Sequence, residues 1–208
     1  MTPDYIVIHT AAFNGKDCDK DMIDSWHRAK GWNGIGYHYV ILNDKHSHKS
    51  DGMVEKGRPD HVQGAHALGL NSRSLGICCV GHGDENDFTE AQYDSLIALL
   101  DQLMETHSIP VSRVIGHREL NLLVDRGVLS DRYRTAKSCP GNQVDMQALR
   151  KRLTKPATVS PPEPQSTELA DAMAVLAQHQ DRFGNARDEW AAFYYHPEII
   201  ALRQRRIT

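Results

Sequence analysis

The chain has 208 residues, 40% of them hydrophobic and 25% charged, which suits one well-formed soluble domain with an appendage rather than two full domains. Acidic residues number 27 against 24 basic ones, a formal charge of -3, so the basic surplus that a nucleic-acid binder needs is missing. No apolar run reaches membrane-spanning length, and Met1-Thr2-Pro3-Asp4 offers neither the basic nor the apolar segment of a secretory leader, so synthesis in the cytoplasm is expected.

Tyr5-Ile6-Val7-Ile8 is a short apolar run that reads as a buried strand ending at His9. Met22, Ile23, Trp26 and Ala29 recur at helical spacing, with Asp19 or Asp21 as the cap and Gly31 placed for a left-handed stop. Gly36 to Leu42 alternates as a strand, with Tyr37, Tyr39 and Ile41 on one face and His38, Val40 and Leu42 on the other. The polar stretch from Asp44 to Asp51, which contains His46 and His48, reads as an exposed hairpin extension. After the turn at Ser50-Asp51-Gly52 comes a short strand, Met53-Val54-Glu55, and Leu75 to Val80 forms another. The paired Cys78 and Cys79 inside that last run read as small core hydrophobes.

The clearest helix runs from about Glu90 to His107. Thr89 and Gln92 supply a capping box, Phe88 and Tyr93 staple the entry, and Tyr93, Leu96, Ile97, Leu100, Leu103 and Met104 make the buried stripe. Val114-Ile115 then reads as a strand delivering His117, and Met146 to Leu153 as a closing helix. Strands alternating with helices give an α/β domain over residues 1–154. Pro156, Pro161, Pro162 and Pro164 mark a stiff polar linker over 155–166, and Leu169, Met173, Leu176 and Phe183 mark a helical tail over 167–208. Two readings of that tail stand level: it folds back on the domain, or it docks on cell wall, a membrane surface or another chain.

Twelve histidines in such a chain prompt a search for metal ligands. His9 and His117 each directly follow an apolar strand, a rigid platform of the kind that metal geometry requires, and Cys139 sits in the turn Lys137-Ser138-Cys139-Pro140-Gly141 before the last helix. Two neutral imidazoles and a thiolate would leave a zinc site with net charge +1 and an open fourth position, preserving its Lewis acidity. Taken singly, a histidine after a strand is more often a packed or capping residue.

In combination the motifs are specific. Ile23-x-x-Trp26-His27, Gly31-Trp32 and Ile35-Gly36-Tyr37-His38-Tyr39, with Ile8-His9-Thr10, Gly64-Ala65-His66, Asn71, Ser74-Leu75-Gly76-Ile77, Gly116-His117-Arg118-Glu119 and Cys139-Pro140-Gly141, occur in order. Over roughly residues 4 to 154 the chain resembles the peptidoglycan-recognition-protein superfamily, which includes the zinc amidases of phages and bacteria. The resemblance implies a mixed central β-sheet flanked by helices, with a groove for the glycopeptide above a metal. It also implies hydrolysis of the amide bond between N-acetylmuramic acid and L-alanine of bacterial peptidoglycan, by an enzyme of the phage or prophage endolysin type that acts on the wall after release. His9, His117 and Cys139 match the family's ligands to one Zn2+. Tyr37 matches the tyrosine of its Gly-Tyr-His motif, and Lys137 a lysine two residues before the cysteine in its phage-lysozyme-like members. The match implies catalytic roles in stabilising the developing oxyanion or holding the attacking water; a core tyrosine and a solvated lysine are the competing readings. His66, Asn71 and His38 are expected to contact substrate, although a hydrogen-bonded structural histidine is the competing reading for His66 and for His38. The stretch from Leu120 to Tyr133 is longer than in compact members and is expected to add a helix or loop beside the groove.

Two rival functions remain at this level. One is a binding module that recognises the wall without cutting it, although such members typically lack the cysteine ligand and all three ligand positions are filled here. The other is a metal-free cysteine hydrolase using Cys139 with His117, which leaves His9 unexplained.

Overall fold

A computed structural model describes residues 1–154. The expected linker and helical tail, and the choice between packing and docking, therefore lie outside the described residues. The first strand, β1 (Tyr5–Thr10), leads to helix α1 (Lys20–Ala29), whose Asp19 carboxylate accepts the Met22 amide at 2.9 Å as the N-cap. Strands β2 (Tyr39–Ile41), β3 (Val54–Lys56) and β4 (Ser74–Cys79) follow, then the long helix α2 (Glu90–His107) and β5 (Val114–Gly116). Helix α3 (Leu120–Asp125), a 3-10 turn at Asp131–Tyr133 and helix α4 (Met146–Thr154) complete the described chain. The five strands form one mixed sheet in the order β3-β2-β4-β1-β5, parallel throughout except for the antiparallel β2–β3 pair.

Alternation along the strands gives this sheet two unlike faces. Ile6, Ile8, Tyr39, Ile41, Leu75, Ile77, Cys79 and Val114 all point to one side, where they join Leu96, Leu100 and Leu103 of α2 and Met146 and Leu149 of α4 in a single core. The reciprocal Thr89–Gln92 capping box starts α2 as expected, and the buried stripe comprises Tyr93, Leu96, Leu99, Leu100 and Leu103, with the expected Ile97 and Met104 only partly buried at its edge. On the other side the apolar residues fall into two smaller groups. Tyr5, Val7 and Ile115 pack with Leu120 and Leu123, while Val40, Leu42 and Cys78 pack with Cys18 and Ile23. His9 follows Val7 on that second face, in the interval between the two groups.

Two local expectations are corrected. Tyr37 does not share a face with Tyr39 and Ile41, because strand β2 begins only at Tyr39 and residues 36–38 form a bend. That bend carries Tyr37 to the second face, where it packs with the group around Val40. His46 is not an exposed loop residue either, since its side chain is only 7% exposed between Asp17 and Asp19. Its Nδ1 accepts the amides of His48 and Lys49, so it builds the turn from inside.

Candidate metal centre

The centre assembles from three short segments that meet over the carboxyl end of the parallel strands. β1 carries His9 inward, with only 1% of its surface exposed. β5 runs into a 3-10 turn, His117–Glu119, that presents His117 at 8% exposure. Ligand-capable atoms of His9, His117 and Cys139 all lie within 4.8 Å of one another, and the Cys139 Sγ to His9 Nδ1 distance is 3.6 Å. A tetrahedral zinc with bonds of about 2.0–2.3 Å holds its donors roughly 3.3–3.8 Å apart; the Cys139–His9 separation of 3.6 Å lies in that range, and two imidazoles with one thiol are a donor set that suits the ion.

The Cys139 turn is braced from two sides. The Arg118 amide donates to the Cys139 carbonyl at 2.7 Å, and the Arg118 guanidinium donates to the carbonyls of Ser138, Gly141 and Val144. Asp84 accepts the Ser138 hydroxyl and the Asn142 amide from the opposite side. Glu119 accepts the Gly116 amide and pairs in fork geometry with Arg150 of α4, at 2.8 and 2.9 Å. Arg118 and Glu119 thus hold the two ligand-bearing turns, which explains why they flank His117 in the motif. The motif shows both residues but not these tasks, and Asp84 has no signal in the linear pattern.

Burial sets the protonation states. It depresses His9 well below the usual imidazole range and His117 to about 4, with the neighbouring histidine contributing at His9 and Lys137 at His117. Both rings are therefore neutral, the form that ligates metal. Burial also pushes the Cys139 thiol up to about 11, so an electropositive ion is what would make it a thiolate.

Tyr37 stands against His9 with ring centroids 5.1 Å apart, and its phenol is pushed well above its ordinary pKa by burial, so it remains a proton donor. The Gly36 carbonyl accepts the Ala65 amide at 3.0 Å, stitching the Gly-Tyr-His segment to the Gly-Ala-His segment. A Cβ on residue 36 would sit 2.2 Å from the Ala65 carbonyl oxygen, so only glycine permits this approach. Lys137 forms no ion pair among the described residues and lines the mouth of the cleft.

That cleft encloses about 470 Å³, with His9, Tyr37, His66, His117 and Cys139 at its floor and Trp26, Lys30, Trp32, His82 and Asp84 in its walls. A second cleft of about 410 Å³ shares His66, His117, Trp32 and Lys137 with the first and extends past Asn71 to Arg132 and Tyr133. The long stretch after His117 therefore contributes both a helix and a turn beside the groove, as expected. Asn71 lines this extension, while its side-chain oxygen accepts the amides of His66 and Ala67 at 2.8 Å.

His38 is not a groove residue. It is fully buried, its Nδ1 accepts the Gly76 amide at 2.9 Å, and its Nε2 bonds the Val62 carbonyl at 3.0 Å. The expected substrate contact there is corrected to a strand-bracing role, because neither ring nitrogen is left to face a ligand.

Comparison with known proteins agrees with this geometry. Residues 1–142 match the N-acetylmuramoyl-L-alanine amidase family. The chain belongs to that family. It is an amide hydrolase of the kind for which the family is named. The endolysin of Escherichia phage T7 is 36% identical over 123 residues, covering 56% of this chain and 76% of that protein. Peptidoglycan-recognition protein SC2 of Drosophila melanogaster is 33% identical over 124 residues, covering 56% of this chain and 64% of that protein. Among solved structures, the N-acetylmuramoyl-L-alanine amidase LysC of Clostridium intestinale superimposes with a TM-score of 0.59 at 30% identity, over 73% of this chain and 85% of that one. The mixed sheet and its flanking helices are shared with that amidase and, at the level of fold, with the bumblebee peptidoglycan-recognition protein PGRP-SA, which superimposes with a TM-score of 0.54 at 23% identity over 71% of this chain and 80% of that one.

Proposed function

We propose that this amidase works as a zinc enzyme of the phage endolysin type, with His9, His117 and Cys139 as ligands to one Zn2+. The observation that carries the reading is the convergence of those three donors within 4.8 Å over the carboxyl end of the parallel strands. Zinc in such a site supplies Lewis acidity and a water that ionises near neutral pH.

The remaining work falls to the chain's own groups. Tyr37 keeps its phenolic proton and can donate a hydrogen bond towards the amide oxygen as charge develops there. The Lys137 ammonium, at the mouth of the same cleft, can reach in to add a positive charge where the oxyanion forms. The two contiguous clefts, about 470 and 410 Å³, offer room on both sides of the scissile bond for sugar and peptide. Asn71 lines one of them and is retained as a substrate contact. All these groups lie before residue 154, so the catalytic unit is assigned to residues 1–154.

The metal-free cysteine hydrolase is disfavoured by a Cys139 thiol pushed to about 11, far from the thiolate that such a nucleophile needs. The binding-module reading is disfavoured because the complete donor set is in place. Similarity to the endolysins of phages T7 and T3 supports peptidoglycan as the substrate and action on the wall after release from the cytoplasm.

Digestion of purified peptidoglycan, followed by mass analysis, tests the reading. Peptides with new L-alanine amino termini and intact glycan strands are expected, with release abolished by a chelator and restored by zinc. New reducing sugar ends would contradict the bond assigned, and undiminished cleavage by metal-free protein would contradict the zinc.

A further inference from the structure

The imidazole of His66 sits directly behind that of His9, with His66 Nδ1 and His9 Nε2 3.0 Å apart. At its far end, His66 Nε2 lies 3.4 Å from the carbonyl oxygen of Ser74. A carbonyl only accepts, so His66 Nε2 must carry the proton. With that proton on Nε2, the His66 imidazole presents the lone pair of Nδ1, which makes His9 Nε2–H the donor between the rings. His9 Nδ1 is then the bare nitrogen, and it is the one that lies 3.6 Å from Cys139 Sγ.

We propose that His66 is a positioning residue for the metal centre, fixing the tautomer and ring orientation of His9 so that Nδ1 faces the ion. This proposal rests on the zinc reading above. Metal-ligating histidines commonly donate their second N–H to such a partner, which orients the ring and raises its basicity. Here the partner is another imidazole, itself oriented by a main-chain carbonyl.

The surrounding fold is built to hold that ring. Asn71 fixes the backbone of His66 by accepting the amides of His66 and Ala67. The ring then lies flat on β4 at Gly76, where an added Cβ would meet His66 Cγ, Cδ2 and Nδ1 at 2.5–2.7 Å. Residue 76 must be glycine for the ring to occupy this place. His38 holds the same Gly76 amide from its other side. Both nitrogens of His66 are engaged, so the ring offers no hydrogen bond to substrate.

The test compares the full chain with His66→Phe, which keeps the ring but removes its nitrogens, and His66→Asn, whose amide oxygen can stand in for Nδ1. Zinc affinity is read by competition with a chromophoric chelator. The His9 tautomer is read by nitrogen NMR of the metal-free wild type. A 10–100-fold loss of zinc affinity is expected for His66→Phe, with substantial recovery in His66→Asn, and with the proton of His9 on Nε2 in the wild type. Unchanged zinc affinity in His66→Phe with a raised KM would make His66 a substrate contact and overturn the proposal, as would a proton on His9 Nδ1. Wild-type protein that binds no zinc would instead overturn the metal reading, while the tautomer measurement, which needs neither metal nor variant, still decides the His9–His66 bond.

Discussion

The two faces of the sheet do different work. On the face covered by α2 and α4, side chains from four strands merge into one uninterrupted apolar core. On the opposite face the apolar residues split into two groups, and His9, Tyr37, His66 and His117 occupy the interval. A polar cluster at that depth is costly unless its groups are neutral and bonded, or neutralised by an ion. The burial-depressed histidines and their hydrogen bonds meet the first condition, and the donor trio meets the second. Stability is thus concentrated on one side of five strands, which leaves the other side free to carry a site that packs less completely.

This division can be broken by paired substitutions. Leu100 is fully buried in the continuous core, so Leu100→Ala should cost about 2–5 kcal/mol of unfolding free energy while leaving zinc content and turnover of the folded protein unchanged. Denaturant unfolding alongside metal analysis checks this, and a parallel loss of zinc would show that the faces are coupled. On the other face, Tyr37→Phe and Lys137→Ala should each lower kcat by about a hundredfold or more, with zinc content and melting temperature nearly unchanged. Unaltered turnover in both variants would remove them from the mechanism. The smallest effect is expected from ending the chain at Thr154. That protein should keep its zinc and its rate on soluble muropeptides, and loss of cleavage in a folded truncation would place the catalytic boundary further on.

The apolar face was the more legible of the two in the sequence. The capping box at Thr89 and Gln92, the stripe through Leu96, Leu100 and Leu103, and the runs that became β1 and β4 are local patterns with fixed periods. The site was legible through motif order, because the apolar runs Tyr5-Ile6-Val7-Ile8 and Val114-Ile115 place His9 near the end of β1 and His117 directly after β5 whatever the distant context. Burial and partners were less visible. Tyr37 changes face because the chain bends at residues 36–38, and alternation read through a bend assigns the wrong side. His38 and His66 have similar local surroundings, each following a glycine-containing step, yet one braces β4 from within the core and the other stands behind a candidate ligand. Asp84 acts on Ser138 across 54 positions, a relation that no local pattern encodes.

Cobalt substitution tests the central claim most directly, because its spectrum reports both geometry and thiolate ligation. Wild-type protein should take up one cobalt ion per chain, with intense tetrahedral ligand-field bands and a sulfur-to-cobalt charge-transfer band. Cys139→Ser should lose that charge-transfer band and most of the zinc-dependent release of peptide. A six-coordinate spectrum without sulfur ligation in the wild type, or full activity in Cys139→Ser, would contradict a zinc centre built from His9, His117 and Cys139.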